Sequence, residues 1–482
     1  MPSISRVLAV AALPVLAVLP ARAEVHELVF GETPAHEDFH PLGPTLTALT
    51  DGSFAVVWRE LQNQESNLRM QWVRPDGSFV FERGGRPVSA TSQRELSPAV
   101  LAAPDGGAFV AFRRGSRILI QSYDPSGNPR WGADAISVGD SADREAQHEP
   151  RLLAAPGGGT YVCFQEYSRS RKAYRVRCQR LSADGRLLWS GTGHEAEGRP
   201  GWQVLPQVVE DGEGGLLVFW RNQGLPFGDD RIDRILVEGQ RFAPDGTRLW
   251  TGGVVAHVTN LPEANGYGTR EHFAVPDGRG GAVLAFRDQN VRSRPSYDVV
   301  AQRVDARGRA LWGDGVHVTG DRRWQFVDGL IAAPDGGAFV AVNVPGGRTR
   351  DQLRLFRLGP DGRHRWSPAG ISLARSLPTT RVQALFGSFD GGLLRVAWNQ
   401  KIHGTSSGLD IRLAAFDPAG RRLSDPGSLP LSTAPGDQQL HGFVFDHRSG
   451  RGLLIWIDRG FPGGLHDSDA HGALYTEEPR ER

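Results

Sequence analysis

Apolar and polar positions alternate along this chain in short runs, and the runs recur. Each copy has a glycine-led apolar run, a more polar run of alternating character, a tight glycine turn and then an aromatic residue. The apolar run closes at Trp58, Phe112, Phe164, Trp220, Phe286, Val342, Trp398 and Trp456, with 52 to 66 residues between successive copies. Short apolar runs bounded by turn residues predict buried strands, and the alternating runs after them predict half-buried ones. No stretch carries the 3.6-residue period of an amphipathic helix. A recurring period of this length is the mark of a repeat architecture.

The fifth copy shows the unit. Gly280-Gly281 leads Ala282-Val283-Leu284-Ala285-Phe286, then Asp298-Val299-Val300-Ala301-Gln302-Arg303-Val304-Asp305 follows after a loop. Arg307-Gly308 turns the chain, and Ala310-Leu311-Trp312-Gly313 is expected to begin the next strand. With an apolar run ahead of the glycines, as in Leu330-Ile331-Ala332-Ala333, each copy supplies four antiparallel strands. Four strands in roughly 57 residues is the content of a β-propeller blade.

A second landmark is stricter. An aromatic lies four residues after the turn glycine in Gly77/Phe81, Gly127/Trp131, Gly185/Trp189, Gly246/Trp250, Gly308/Trp312 and Gly362/Trp366, whereas Gly420 is followed by Ser424. Side chains at one fixed spacing from a hairpin turn face the same way in every unit. Packing between units is the economical role for them, since rings of this size bury much surface. A ring of ligand-stacking tryptophans is the other reading.

The eighth copy ends after Ala473-Leu474-Tyr475 without its tryptophan segment, and Glu27-Leu28-Val29-Phe30-Gly31 near the N-terminus matches the missing piece. The fold class expected is therefore all-β: an eight-bladed β-propeller whose closing blade is shared by the N- and C-termini, which leaves no open edge. Residues 24–482 would form this single propeller.

Residues 1–23 read as a signal peptide: Arg6, an apolar run from Val7 to Leu19, and Ala21-Arg22-Ala23 as the cleavage site. The protein is expected to be exported, periplasmic or extracellular, and monomeric, with no transmembrane segment. The 55 basic and 54 acidic residues nearly cancel, and no basic stripe marks a nucleic-acid partner.

The two cysteines, Cys163 and Cys178, fall on neighbouring strands of the third copy about a common hairpin tip, where a disulfide or two buried thiols would both fit. His466-Asp467-Ser468-Asp469-Ala470-His471 is the densest group of metal-ligand types, in a loop where such residues also serve as turn and solvent positions. No metal or other cofactor is expected from it, although its alternating ligands would suit zinc or calcium, and calcium is the cofactor left open.

The candidate ligand site is positional. Just before each innermost strand stand polar or aromatic residues: Arg94-Glu95, His148-Glu149, Trp202-Gln203, Arg270-Glu271-His272, Trp324-Gln325, Arg381, and Gln438-Gln439 with His441. In a propeller these lead-in segments converge on one rim of the central channel, and convergent polar groups around a concavity are the default binding site. A solvated channel mouth is the bland reading. No phosphate loop, serine nucleophile elbow or His-Glu-x-x-His element is present.

Asp305-Ala306-Arg307-Gly308-Arg309-Ala310-Leu311-Trp312 resembles the motif of the tryptophan-docking propellers, and Gly185/Trp189 and Gly246/Trp250 keep its glycine-to-tryptophan spacing. That resemblance implies an eight-bladed fold shared by quinoprotein dehydrogenases and a non-enzymatic outer-membrane assembly lipoprotein. The Gln-Arg strand (Ala301-Gln302-Arg303, Cys178-Gln179-Arg180) also resembles propeller repeats of uncharacterised exported bacterial proteins. The quinoprotein pattern of adjacent cysteines is missing, so no functional residue carries over.

Three functions remain in order. First stands a non-catalytic binding or scaffold propeller that takes a protein or carbohydrate ligand at the rim. Second stands a channel-active enzyme on carbohydrate, a glycosidase or polysaccharide lyase using rim His, Arg and acidic residues. A quinone-dependent dehydrogenase ranks last.

Overall fold

A computed structural model of the 482-residue chain describes residues 24–33, 44–62, 65–89, 91, 93–139, 144–223, 234–262, 272–290, 296–321, 323–344, 351–376, 385–390, 392–401, 409–423, 429–432, 437–459 and 468–477. The strands form eight four-stranded antiparallel sheets, the blades of a β-propeller. Blades 1 to 7 each use four consecutive strands. Their innermost strands are Thr45–Ala48, Glu95–Ala102, Arg144–Ala155, Gln203–Glu210, His272–Pro276, Phe326–Ala332 and Leu385–Phe389.

Blade 8 is the mixed one. Asp437–Asp446, Arg451–Arg459 and Ser468–Thr476 are its first three strands, and Glu24–Thr33 is the fourth, running antiparallel to Ser468–Thr476 from Glu24 opposite Thr476 to Thr33 opposite Ser468. Each inner strand touches the inner strands on either side, including blade 8 against blade 1, so the ring is closed.

The hydrophobic core lies between blades. It falls into eight clusters, each straddling one blade junction; the one joining blades 5 and 6, for example, unites Ala285 and Ala301 with Val340, Val342 and Phe356. The residues that close the apolar runs, Trp58, Phe112, Phe164, Trp220, Val342, Trp398 and Trp456, are wholly buried there. Burial of large side chains at every junction is what makes a flat stack of small sheets stable, because no single four-stranded blade has a second layer of its own.

The second set of aromatics also works across junctions. An added Cβ on Gly127, Gly185, Gly246, Gly308, Gly362 or Gly420 would meet the ring of Phe81, Trp131, Trp189, Trp250, Trp312 or Trp366 of the preceding blade. The indole Nε1 of Trp131, Trp189, Trp250, Trp312 and Trp366 donates to the carbonyl two residues before that glycine, at 3.0 to 3.1 Å. Ser424, where the aromatic is lost, lies outside the described residues. Blade 8 has no third-to-fourth hairpin for such an aromatic to meet, because those two strands come from opposite ends of the chain.

The tryptophan segment is not itself strand. After the turn the chain makes a single bridge, Val304 to Ala310, and the outer strand of blade 5 is only Val316–His317. A buried glutamine holds the intervening stretch instead: Gln302 Oε1 accepts from Trp312 N at 3.0 Å and its Nε2 donates to Gly313 O at 2.8 Å. Gln71, Gln121, Gln179 and Gln240 do the same in blades 1 to 4. A side-chain amide with one donor and one acceptor group replaces ladder bonds that the segment lacks.

Candidate functional site: the channel rim over blades 2 to 4

Second strands end where first strands begin, as Glu95 opposite Arg114 and Gln203 opposite Asn222 show. The lead-in segments and the hairpins between second and third strands therefore share one face of the ring. The repeated aromatics after the turn glycines follow the far ends of the third strands and lie toward the other face.

Several lead-in residues are fasteners. Gln203 Oε1 accepts from Val176 N at 3.0 Å, and Gln325 Oε1 from Val299 N at 3.1 Å, each bond reaching the third strand of the preceding blade. Glu95 and Gln147 make the same bond to Leu68 N and Ile118 N. All four are buried. Asn399 closes the blade 7 to blade 8 junction similarly, accepting from Leu440 N at 3.0 Å and donating to the carbonyl of Gln438. Gln439 is half-buried opposite Ile457 in the same inner strand.

Glu149 and His441 stand at equivalent irregularities. The inner strands are bulged at Leu96/Ala99, His148/Arg151, Val204/Gln207, Val327/Gly329 and Leu440/Gly442. Ser97, Glu149 and Leu205 there hold φ of 51°, 54° and 58°. Bulges of this kind re-aim side chains and gather at functional sites. Their sequence signal was a proline: Pro98, Pro150 and Pro206 each lie 14 residues before the aromatic that closes the next strand.

Around blades 2 to 4 the rim is aromatic and cationic. Arg113 donates from Nη1 to His148 Nδ1 at 2.9 Å and from Nε to Gly115 O at 2.7 Å. A guanidinium has no acceptor, so Nδ1 must accept and the imidazole proton sits on Nε2. Tyr174 lies edge-on to His148 at 6.0 Å, to Tyr167 at 5.2 Å and to Trp202 at 5.5 Å between ring centres. Burial lowers the Arg113 pKa; Tyr174 opposes that shift and neighbouring Arg94 adds to it. Arg113 and Tyr174, which complete this group with His148 and Trp202, lie on second and third strands, outside the lead-in segments that the sequence pattern singled out.

The carboxylates nearby are committed. Glu95 pairs with Arg114 at 2.8 Å and with Ser89, Glu149 with Arg151 at 3.4 Å, and Glu166 with Arg177 at 2.9 Å and Gln147 at 2.8 Å. His272 is buried near Phe219 and Arg221 of the blade 4 second strand, and burial first, then Arg221, lower its pKa to about 3. Trp324 is half-exposed on the same face over blades 5 and 6. Arg270, Glu271 and Arg381 lie outside the described residues, as do His466 and Asp467. His471 stacks on Trp456 at 5.9 Å. Among the described residues no group of three or more His, Cys, Asp or Glu side chains could hold a metal ion. Cys163 and Cys178 face each other on paired strands, Cα atoms 4.0 Å apart, and are bonded. No helix among the described residues is long and apolar enough to cross a membrane.

No family model and no curated protein matches the chain. Among solved structures it is similar to a puromycin hydrolase, at 15% identity and a TM-score of 0.46 over 86% of this chain and 58% of that one. The chain thus spans little more than half of that hydrolase. It is also similar to an ulvan lyase from a polysaccharide lyase family, at 12% identity and a TM-score of 0.46 over 78% of this chain and 90% of that one. An α-L-arabinanase of Penicillium chrysogenum gives 15% identity and a TM-score of 0.36 over 68% and 94% of the two chains. Likeness of this degree does not bear on activity.

Proposed function

We propose that the protein acts on an acidic polysaccharide, binding it at the channel rim over blades 2 to 4 and cleaving it by β-elimination. The observation that carries this reading is the bond of Arg113 to His148 in the His148–Tyr174–Trp202 aromatic group, with the charge of Arg94 near enough to act on Arg113. Two neighbouring guanidinium groups, one of them half-buried, favour an anionic ligand, and the planar fork of arginine matches a carboxylate. Aromatic edges and faces suit the apolar side of a sugar ring.

The chemistry follows from what is and is not engaged. Hydrolysis by a carboxylate pair needs two acids placed across the bond. Glu95, Glu149 and Glu166 are instead held in ion pairs with arginines. Elimination from a uronate needs no carboxylate. Arg113 would neutralise the sugar carboxylate and make the adjoining C5 proton more acidic. Tyr174, ionised to the phenolate under the charge of Arg113, would take that proton, the electron pair would form the C4=C5 double bond, and the C4–O bond would break. The phenol so formed would then protonate the leaving oxygen, which returns Tyr174 to its starting state, while His148 stays neutral on its bond from Arg113. Export by the leader expected at residues 1–23 would bring the protein to such polymers.

Binding without turnover is the second reading. It is favoured by the Arg113–His148 bond, which occupies the one imidazole lone pair and leaves Tyr174 as the sole base in the group.

Incubation with uronate-bearing polysaccharides, followed by the ultraviolet absorbance of the unsaturated product, tests the proposal. Wild type should generate product, and Tyr174→Phe should lose turnover while still being stabilised thermally by the polymer. Stabilisation without product in wild type would leave only the binding reading. Absence of both would overturn the proposal.

A further inference from the structure

The junction of blades 5 and 6 repeats the aromatic pair found between blades 3 and 4. Tyr174 and Tyr297 each lie two residues before the third-strand amide that donates to the glutamine, Val176 N to Gln203 Oε1 and Val299 N to Gln325 Oε1. Trp202 and Trp324 each precede that glutamine. Tyr174 meets Trp202 at 5.5 Å and 78°, and Tyr297 meets Trp324 at 5.0 Å and 85°. One side-chain arrangement thus occurs twice on one face of the ring, two of eight blades apart.

The second copy is built to stay in place while its top remains open. Trp324 is 53% exposed, the most exposed large hydrophobic residue described. The Arg287 guanidinium lies 4.4 Å from the centre of the Tyr297 ring that Trp324 meets and 4.9 Å from that of Phe326, and Arg287 is itself buried. The lead-in that carries Trp324 is tied by Arg323 to Asp321 at 2.6 Å and by Gln325 Nε2 to the Asp321 carbonyl at 2.6 Å. A large indole held in water by ordered neighbours bears a hydration cost that an occupant would remove.

We infer that Trp324, Tyr297 and Arg287 form a second sugar-binding platform, and that the ligand is a polysaccharide long enough to reach both platforms a quarter turn apart on the rim. This rests on the reading of the blade 2 to 4 site as a saccharide site. Repetition of the same Tyr–Trp pair favours the same class of occupant at both. The first platform has Arg113 and His148 beside it and carries the charge recognition and chemistry. The second has its arginine buried against Tyr297 and Phe326, so it offers the exposed Trp324 ring for packing on a sugar's C–H face. Linking two weak sites through one chain raises apparent affinity without new contacts at either.

The test compares a short uronate oligosaccharide with the full-length polymer on wild type, Trp324→Ala and Trp324→Phe. Trp324→Ala should leave affinity for the short oligosaccharide unchanged and weaken affinity for the polymer roughly tenfold, the size of one modest stacking contact. Trp324→Phe should recover most of it, and both variants should melt with wild type because the side chain is exposed. Equal polymer affinity in wild type and Trp324→Ala would overturn the second platform while leaving the first site intact. Equal losses for short and long ligands would do so as well. If no acidic polymer binds wild type at all, the saccharide reading of both platforms falls.

Discussion

Trp312 Nε1 and Arg303 Nη1 donate to the same acceptor, the main-chain carbonyl of Pro360 in the next blade, at 3.1 and 3.0 Å. Trp250 and Arg241 meet in the same way on Ala306, and Trp189 and Arg180 on Pro244. Each of these carbonyls thus uses both lone pairs on one neighbour. Arg303 is anchored in turn by Asp277, at 3.0 Å from Nε and 2.8 Å from Nη2, both side chains being buried. The repeated aromatic is therefore half of a two-donor clasp, and its charged half begins in the Gln-Arg strand.

Removing the two donors should have unequal effects. Trp312→Phe keeps a ring over Gly362 and loses one neutral hydrogen bond, for a loss of about 1 kcal/mol. Arg303→Ala leaves the Asp277 carboxylate buried without its cation, for a loss of about 3 to 5 kcal/mol. Denaturant unfolding of the two variants checks the order. A larger loss for Trp312→Phe would show that the indole, not the ion pair, holds the junction.

The turn glycine opposite each aromatic is needed twice over. Gly308 has φ of +81°, and an added Cβ would lie 2.5 Å from Val254 Cγ1 and 3.2 Å from the Trp250 ring. Gly308→Ala should therefore cost about 2 to 3 kcal/mol, combining left-handed strain with overpacking. Gly132 also has a positive φ, of +88°, but nothing within 4 Å of an added Cβ. Gly132→Ala, measured by thermal unfolding, should show the strain alone and lose less.

The ring could be read from the chain because its causes are periodic. A blade junction needs a large ring at one fixed place, and a hairpin needs its glycine, so Gly308 and Trp312 announce themselves seven residues after Ala301 and beyond. The mixed blade was legible for the same reason, since Phe30 stands where Trp312 would and packs on Trp58 and Phe79 of blade 1. The rim was legible only in part: His148, Trp202 and Trp324 stand out as lead-in residues, but their partners and roles do not. Gln203 and Trp202 are adjacent in the chain, yet one fastens two blades and the other faces Tyr174, because neighbouring residues on an extended chain point opposite ways. Arg113 reaches His148 from another blade, and such a contact leaves no spacing rule in the sequence.

The disulfide should add stability by closing a loop. Cys163 and Cys178 are 15 residues apart, which in the chain-entropy account is worth about 3 kcal/mol. The two strands are already paired along the whole hairpin, so the gain arises in the unfolded chain. Unreduced, denatured protein should show no free thiol on titration. The Cys163→Ala, Cys178→Ala double variant should melt lower, and two thiols in unreduced protein would contradict the bond.

Acid should weaken the junction of blades 4 and 5 through His272. Burial holds the imidazole neutral, and Arg221 in blade 4 and Arg151 in blade 3 also oppose its charge, bringing its pKa to about 3. The unfolded chain binds that proton near pH 6.5, so the folded state keeps its full advantage above that pH. As pH falls below 6.5 the unfolded state takes up the proton first, and stability is lost progressively down to about pH 3. By pH 4.5 this one group should have removed roughly 2 to 3 kcal/mol. Urea unfolding of wild type at pH 7.5 and pH 4.5 should show that difference, and His272→Asn should show less of it. An unchanged difference in the variant would mean that His272 is already protonated, or already solvated, in the folded protein.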